Sequence, residues 1–495
     1  MSVSALLLSC VFLWSIFALI VHIALPQTAD KIRRAAQTSL ILVWLVLIVS
    51  LLVINRQTIV IMLGGWVAPF GIALVTDQLS QVMMVVFALV AMCVSFYSYW
   101  DQAIVNRQKG FYAGFWLLLL GVSGAVFTAD IFNLYVWFEV ILVSAFILLA
   151  SGDQSKPHAM MHYALMNITG TLLMLLAIAL LYGAFGSLSY AEIANQLIQV
   201  QHPSILPILC LLLFAIGLKG AVFPLYFWLP KAYPKPSHSS MMLLSSLVTK
   251  TVMVVLLRLV WLWSPLRGPF FTHSLVFVAL ATMFFGVLGA ASQFRFKDIL
   301  AFHIVSQLGY IVLAIVLPSA LAIIAAVYFI IHNVFVKTNL LMVASIIEQH
   351  HGSDGFKKLG QMLKQHNYLS VVFFLAAMSL AGFPPLSGFW GKLFIIKSAL
   401  DTHFYISAAV AIIVSLFTLY SMIKIWRYVF CEKGQTSCGK PLMLSIYVII
   451  AIAPLLLLPI LMGLWPDGIL TCLKPISVQL QHPEHYIHLV LRGRS

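Results

Sequence analysis

Several ionisable side chains stand inside long apolar runs of this sequence. A charge at bilayer depth is costly and by default marks an ion pathway. Glu139 is the only acidic residue well inside such a run, in DIFNLYVWFEVILVSAFILL. His332 precedes Lys337 by five residues, and a histidine that titrates near neutral pH suits a proton relay. The basic residues within the runs are Lys219, Lys250, Arg258, Lys337, Lys392 and Lys397. Residues of these types at this depth predict proton movement across a membrane.

Proline interrupts two of the runs next to a lysine. Lys219 follows an apolar half-helix, and Pro224 removes a backbone donor five residues later. Lys392 follows a second break at Pro384 and Pro385. A pair of interrupted segments in corresponding positions points to an inverted-repeat transporter. Because Lys219 precedes its break whereas Lys392 follows its own, the residues alone suggest the repeat without establishing it.

The runs that carry these side chains are long and continuously apolar. The 495-residue chain is 62% hydrophobic and 8% charged, whereas soluble proteins carry about 25% charged residues. This composition excludes a soluble or disordered protein and argues against nucleic-acid binding. Since a spanning helix needs about 20 apolar residues, we predict an all-α polytopic membrane protein of about fourteen helices. The predicted spans are 4–25, 35–54, 78–99, 111–129, 131–150, 160–184, 205–229, 239–262, 272–293, 299–317, 320–347, 368–399, 403–429 and 441–464.

The basic residues fall mostly on one side of these spans. If the N-terminus lies outside, 17 basic residues occupy inside loops and 5 lie outside, as the positive-inside rule requires. Arg258 and Lys397 are nearer span ends and are expected to reach towards the membrane surface. Segment 59–72, broken by Gly and Pro, is predicted to form an outside loop or short hairpin, and the tail after Leu464 to lie at the surface. The six cysteines show no metal-ligand spacing, so incidental thiols are expected.

Four sequence blocks resemble a known family. They are LKGAVFPLYFWLPKAYPKPSHSS, FKDILAFHIVSQLGYIVLA, IIHNVFVKTNLLMVASII and AGFPPLSGFWGKLFII. As an ordered set they are similar to the antiporter-like subunits of respiratory complex I and of Mrp-type sodium/proton antiporters. His303 in AFHIVSQLGY and the segment around Glu139 favour the Mrp branch, and the chain length favours its D-type subunit over the longer A-type subunit.

The resemblance implies a role for each buried charge. The glutamate of the fifth span would pair with the lysine of the seventh, and the lysine of the eighth span would be central. The histidine and lysine of the eleventh span would continue a hydrophilic axis to a terminal lysine in the twelfth. In chain order the implied functional residues are Glu139, Lys219, Lys250, His332, Lys337 and Lys392.

The same resemblance implies a fold and partners. Two inverted five-helix repeats, 111–262 and 272–429, would follow three helices in 1–110 and precede a last helix and tail in 430–495. The chain would work without a redox cofactor, beside other subunits of an Mrp-type complex in the bacterial plasma membrane, with protons and Na⁺ as the transported ions. The membrane arm of a complex I-like hydrogenase or of an inorganic-carbon uptake complex is an alternative with the same fold. An intramembrane enzyme is disfavoured, because the sequence has neither an HExxH motif nor a buried Asp pair.

Overall fold

The computed structural model is built almost entirely of helices. It describes residues 3–25, 30–54, 58–66, 70–101, 104, 110–151, 157–199, 205–432 and 444–492. Among these residues, eleven helices are long and apolar enough to cross a membrane, and three shorter apolar helices accompany them. The predicted all-α polytopic fold is confirmed, whereas the number fourteen and the outward N-terminus stay predictions. Eight residues that entered the charge and cysteine arguments lie outside the described residues: Arg56, Arg107, Lys109, Lys156, Lys433, Cys438, Lys440 and Arg494.

The helices form because a bilayer offers no water to the backbone N–H and C=O groups of the apolar runs. These groups must therefore bond within their own segment, as they do in an α-helix. In the first half they are α1 Val3–Ala24, α2 Asp30–Ile54, α3 Gln78–Ser98, α4 Phe111–Phe127, α5 Ile131–Ala150, α6 Pro157–Phe185, α7 Tyr190–Gln199, α8 Ile205–Lys219, α9 Trp228–Ala232 and α10 His238–Leu262. In the second half they are α11 Pro269–Ser292, α12 Phe296–Val316, α13 Ala320–His351, α14 Met362–Gln365, α15 Asn367–Ala381, α16 Ser387–Asp401, α17 Tyr405–Cys431, α18 Ile446–Leu464, α19 Pro466–Gln481 and α20 Glu484–Arg492.

A short hairpin links α2 to α3. A hairpin was one of the two forms predicted for segment 59–72. Strand β1 (Ile59–Met62) pairs antiparallel with strand β2 (Ala73–Thr76). Asp77 follows β2 directly and caps α3, since its carboxylate accepts a hydrogen bond from the Ser80 backbone N–H at 2.8 Å. The hairpin and cap fix this carboxylate at one end of the helix bundle.

Two of the predicted spans are broken in the middle. Helix α8 ends at Lys219, and the backbone turns through Ala221, which has a φ of 53°, before α9 begins. Helix α15 ends at Ala381, Gly382 has a φ of 93°, and α16 begins at Ser387. The predicted breaks are confirmed, so the stretches 205–229 and 368–399 are each interrupted helices rather than continuous spans.

Three helices form the centre of the bundle. Helices α10, α12 and α13 are buried along almost their whole apolar length, whereas α1, α2, α6, α11 and α17 expose Leu, Ile and Phe side chains on one face. Apolar exposure on the outer helices suits contact with lipid. The polar side chains of α10, α12 and α13 are therefore held away from lipid, inside the protein.

The tail after Leu464 forms two helices that pack on the rest of the protein. Helix α19 packs against α13, and α20 packs against α7. Tyr486 and Val490 of α20 are buried. The tail therefore covers one end of the bundle with the apolar faces of two amphipathic helices.

Candidate functional site

A hydroxyl group bridges the predicted glutamate–lysine pair. Helix α5 carries Glu139, α6 carries Thr171, and α8 ends in Lys219. The Thr171 hydroxyl donates to Glu139 Oε1 at 2.6 Å and accepts from Lys219 Nζ at 2.8 Å. Lys219 Nζ lies 3.9 Å from Glu139 Oε1. The structure thus brings together the two residues that the resemblance paired, through a threonine that was not predicted from the sequence.

The break after α8 brings Lys219 close to the central helix α10. A Cβ atom on Gly220 would lie 2.9 Å from Met253 Cε, so glycine permits the close approach. The Trp228 indole N–H donates to the Leu218 carbonyl at 3.1 Å and satisfies one carbonyl freed by the break. A small cavity lined by Lys219, Asn167 and Val248 extends from the pair towards α10.

Lys250 lies on α10 beside an irregular turn. Its Nζ donates to the Ser245 carbonyl at 2.6 Å, within a π-helical segment at Leu244–Val248. A π-turn leaves a carbonyl out of the α-helical pattern, and such turns are frequent at functional sites. Lys250 is buried and forms no salt bridge with any described residue. The amine is therefore solvated by backbone and not by a carboxylate.

His332 and Lys337 share the buried helix α13 but have different neighbours. His332 Nδ1 lies 2.8 Å from the Ser387 hydroxyl at the start of α16. Lys337 Nζ has no hydrogen-bond partner among the described residues, although it is fully buried. It lies close enough to Lys250 and Lys392 for their charges to interact with its own. Lys337 is therefore near both the central and the terminal lysine of the predicted axis.

Lys392 reaches back across the second break. Its Nζ donates to the Ala381 carbonyl at 2.8 Å, at the C-terminal end of α15, and lies 5.3 Å from the centre of the Tyr310 ring. The partial negative charge of a helix C-terminus favours a cation there. A Cβ on Gly388 would lie 1.7 Å from the Ser379 carbonyl oxygen, so glycine allows α16 to pack this closely on α15.

One expectation about the buried charges is wrong. Arg258 does not expose its charge at the surface: its guanidinium is 2.8 Å from Asp77 Oδ1 at one end of the bundle, and both side chains are buried. It also donates to the Val126 carbonyl at 3.2 Å. Arg258 therefore has an acidic partner, as Lys219 does, and Asp77 is buried whereas Glu139 is partly exposed. Lys397 is exposed, and its reach towards the membrane surface stays a prediction.

Further polar side chains line the centre of the bundle and were not assigned roles from the sequence. His303 on α12 has its Nε2 2.6 Å from the Ser421 hydroxyl. The signal that could have identified such side chains in the sequence is a polar residue within an apolar helix. Besides His332 and Lys337, the buried side chains in the middle of α12 and α13 that have a polar atom without a protein partner among the described residues include His303, Gln307, Asn333 and Asn339. Buried polar groups are normally paired, so water could satisfy these atoms.

The described residues include no group of three or more His, Cys, Asp or Glu side chains arranged to hold a metal ion. The five described cysteines are free thiols. What the arrangement can do is exchange protons between amines, an imidazole and a carboxylate.

Comparison with known proteins agrees with the motifs. The family described as NADH:quinone oxidoreductase/Mrp antiporter, TM, matches residues 128–418. The chain is 36% identical over 443 residues to the D-type subunit of the Na⁺/H⁺ antiporter of Alkalihalophilus pseudofirmus, covering 88% of each chain.

Solved structures extend the likeness to nearly the whole chain. A chain of the Mrp complex from Dietzia sp. DQ12-45-1b matches with a TM-score of 0.88 and 26% identity, covering 99% of this chain and 100% of that one. A chain of respiratory complex I from Thermus thermophilus matches with a TM-score of 0.82 and 18% identity, covering 96% and 99%, and so shares the fold. The chain belongs to the transmembrane family of NADH:quinone oxidoreductase and Mrp antiporter subunits.

Proposed function

We propose that this chain is the proton-translocating D-type subunit of a multi-subunit Na⁺/H⁺ antiporter in a bacterial plasma membrane. The observation that carries the proposal is the hydrogen-bonded set Glu139–Thr171–Lys219, because it couples a buried lysine to a carboxylate on neighbouring apolar helices. The relative from Alkalihalophilus pseudofirmus, named as the D-type subunit of a Na⁺/H⁺ antiporter, supports the choice of ions.

The pair can load and release a proton through a small displacement. A carboxylate near a lysine favours the charged form of the amine, and burial disfavours it. When Lys219 stays on Thr171 beside Glu139, the protonated amine is stabilised. When it moves away into the cavity towards α10, that stabilisation is lost and the amine gives up its proton. Each 1.4 kcal/mol of lost interaction is about a tenfold change in proton occupancy.

The remaining residues continue the path. From the cavity beside Lys219 a proton would pass to Lys250, then to Lys337 with His332, and leave at Lys392. The buried polar atoms on α12 and α13 that lack protein partners among the described residues support a hydrated connection, since water would satisfy them and carry protons between amines. We therefore assign transport roles to all six predicted residues, with Thr171 as a positioning residue for the first pair.

The surface around Glu139 supports a neighbouring subunit. The Glu139 side chain is 34% exposed in the isolated chain, beside exposed Phe132, Val136 and Val143 on the same helix. A carboxylate facing lipid at this depth would be costly. No partner surface was predicted from the sequence, but we infer that another component of the complex covers this face of α5.

Of the two other candidates with the same fold, neither has a specific observation in its favour. A hydrogenase or carbon-uptake subunit would use the same axis, but the relative from Alkalihalophilus pseudofirmus is named as an antiporter subunit. The activity we propose is secondary transport and not enzymatic catalysis. The two inverted repeats, 111–262 and 272–429, are part of the proposal, since each contains one broken helix with a lysine at its break.

The test is Glu139→Gln in the complete complex. The amide keeps the size and the bond from Thr171 but removes the charge. We expect Na⁺-driven dissipation of a pH gradient in everted vesicles to be abolished at normal levels of assembled protein. Glu192→Gln is the matched control, because Glu192 lies on α7 and its carboxylate accepts a hydrogen bond from Gln196 of the same helix. Near wild-type flux in the Glu139 variant would overturn the proposal.

A further inference from the structure

A second cluster of ionisable groups lies where α10 begins, at the opposite end of that helix from Arg258. His238 is the first residue of α10 and stands between two carboxylates. Its Nε2 is 2.9 Å from Glu348 Oε2, and its Nδ1 is 3.5 Å from Asp101 Oδ1. Lys297 Nζ is 2.6 Å from the same oxygen of Glu348. With His238 protonated, the cluster balances two negative charges with two positive ones.

Every element packed on His238 contributes to this balance. Asp101 follows α3 and accepts from the Ser239 N–H at 2.9 Å and the Ser239 hydroxyl at 2.8 Å. Burial alone would raise the pKa of Asp101, but the hydrogen bond and charge of His238, with the bonds from Ser239, hold it below its usual value. The groups that face His238 are Asp101 after α3, Lys297 on α12, and Glu348 and Gln349 on α13, while Tyr97 of α3 bonds to Gln349. Asp101 thus stays ionised, and the mobile proton of the cluster belongs to the imidazole.

The surroundings of His238 suit both of its protonation states. Gln349 Nε2 lies 3.2 Å from Nδ1, the same nitrogen that faces Asp101. When Nδ1 carries a proton it donates to Asp101, and when it does not it accepts from the Gln349 amide. A permanent ion pair would need only Asp101 as the partner of Nδ1. A group that gains and loses a proton also needs a donor for its neutral form, and the Gln349 amide supplies one.

Helix α10 connects this cluster to the buried lysines. His238 and Lys250 are twelve residues apart, which is about 18 Å along a helix, or roughly 60% of the thickness of the hydrocarbon core. Hydroxyl side chains occupy the interval, and all of them are buried: Ser239, Ser240, Ser245, Ser246 and Thr249. Glu348 and Lys337 are similarly related along α13, with Ser345 buried between them. Two packed helices thus each present polar groups from the cluster to the centre of the axis.

We propose that His238, held by Asp101 and Glu348, is the gate through which protons exchange between the predicted cytoplasmic side and the Lys250–Lys337 centre. This inference rests on the proposed function and the predicted orientation. The imidazolium passes one ring proton to water among the α10 hydroxyls, which carry a proton on to the Lys250 amine. The neutral ring then accepts a proton from the aqueous side, and the reverse sequence releases one. His238 therefore acts in transport and is not only a bridge between helices.

The first variant is His238→Gln in the complete complex. Glutamine can bond to the same neighbours but cannot carry the proton. We expect Na⁺-driven proton flux to fall by at least roughly tenfold and to lose its dependence on pH between about 5 and 8, where histidine changes charge. Asp354→Asn is the control, because Asp354 forms a 2.8 Å ion pair with Arg295 between neighbouring segments without facing His238. It should keep the wild-type pH profile.

The second variant, Glu348→Gln, covers the case in which the histidine variant does not assemble. It keeps the side-chain shape and removes one negative charge from beside the imidazole. We expect the midpoint of the pH profile to move to lower pH by about one unit, because the imidazolium is less stabilised. An unchanged midpoint in well-assembled protein overturns the gate, as does wild-type flux and pH profile in His238→Gln. If Glu139→Gln is inactive while both cluster variants behave as wild type, the gate fails and the proposed function stands.

Discussion

Thr171 joins the two opposite charges of the candidate site, and its hydroxyl can be removed without changing either charge. Replacing threonine by valine keeps the shape of the side chain but abolishes the bonds to Glu139 and Lys219. The two charged groups would still lie 3.9 Å apart, as an ion pair without a bridge. Thr171→Val therefore separates the geometry of the pair from its charge.

The size of the effect follows from the burial of the two partners. A hydrogen bond to a charged group contributes about 1.5–3 kcal/mol. Glu139 is partly exposed and can find another donor, but Lys219 is 5% exposed, so water does not readily replace its bond to Thr171. Losing that one bond changes the equilibrium between the paired and the displaced lysine by roughly 10- to 150-fold. We expect Na⁺-driven proton flux to fall by at least roughly tenfold.

The assay is flux in everted vesicles containing the complete complex, normalised to assembled protein. Thr171→Ser retains the hydroxyl and should recover most of the activity. Thr169→Val is the matched control on the same helix, because the exposed Thr169 hydroxyl donates to the Leu165 carbonyl of its own helix. The reasoning is refuted if Thr171→Val transports normally, or if the serine variant is as damaged as the valine variant.

Three other predictions test different parts of the molecule. Lys250→Arg should be nearly as inactive as Lys250→Ala, because arginine keeps its proton; an active Arg variant beside a dead Ala variant would make Lys250 a structural charge. A cysteine in place of Lys231, which is exposed near the end of α9, should react with an impermeant label only from the cytoplasm, and labelling from outside would reverse every span. Burial raises the pKa of Asp130 to about 6, so the folded protein loses stability as pH rises from about 4 to about 6. Asp130→Asn, which can still cap α5, should therefore raise the melting temperature in detergent more at pH 8 than at pH 5, and an equal gain at both would contradict the assignment.

Much of the fold could be predicted from the sequence because membrane helices satisfy their own backbone. A run of about 20 apolar residues is enough to identify each one, without knowledge of its neighbours. The helix breaks could also be predicted from neighbouring residues alone, because Pro224 and the Pro384–Pro385 pair remove backbone donors near the ends of the helices. The buried lysines stood out for the same reason, as charges inside apolar runs.

Beyond the Glu139–Lys219 pair that the resemblance implied, the sequence did not predict contacts between distant helices. Thr171 lies 32 residues from Glu139 and 48 from Lys219, and a threonine in an apolar helix is common. Arg258 meets Asp77 across 181 residues of sequence. Distance from a span end suggested a surface position for Arg258, but no pattern within α10 indicates that the β1–β2 hairpin presents a carboxylate to it. Such pairings depend on helix packing, which periodicity alone does not specify.

The two broken helices present their lysines to different partners, and this difference bears on how protons are coupled. Lys219 is balanced by a full carboxylate through Thr171, whereas Lys392 faces the carbonyl end of α15, which carries only about half a charge. Neither Lys250 nor Lys337 has a carboxylate partner among the described residues. In a low-dielectric interior like charges repel strongly, so one glutamate cannot support four protonated amines at once. A proton that binds one lysine must therefore lower the proton affinity of the neighbouring lysines. The two ends of the axis are coupled in this way because the axis carries fewer carboxylates than amines.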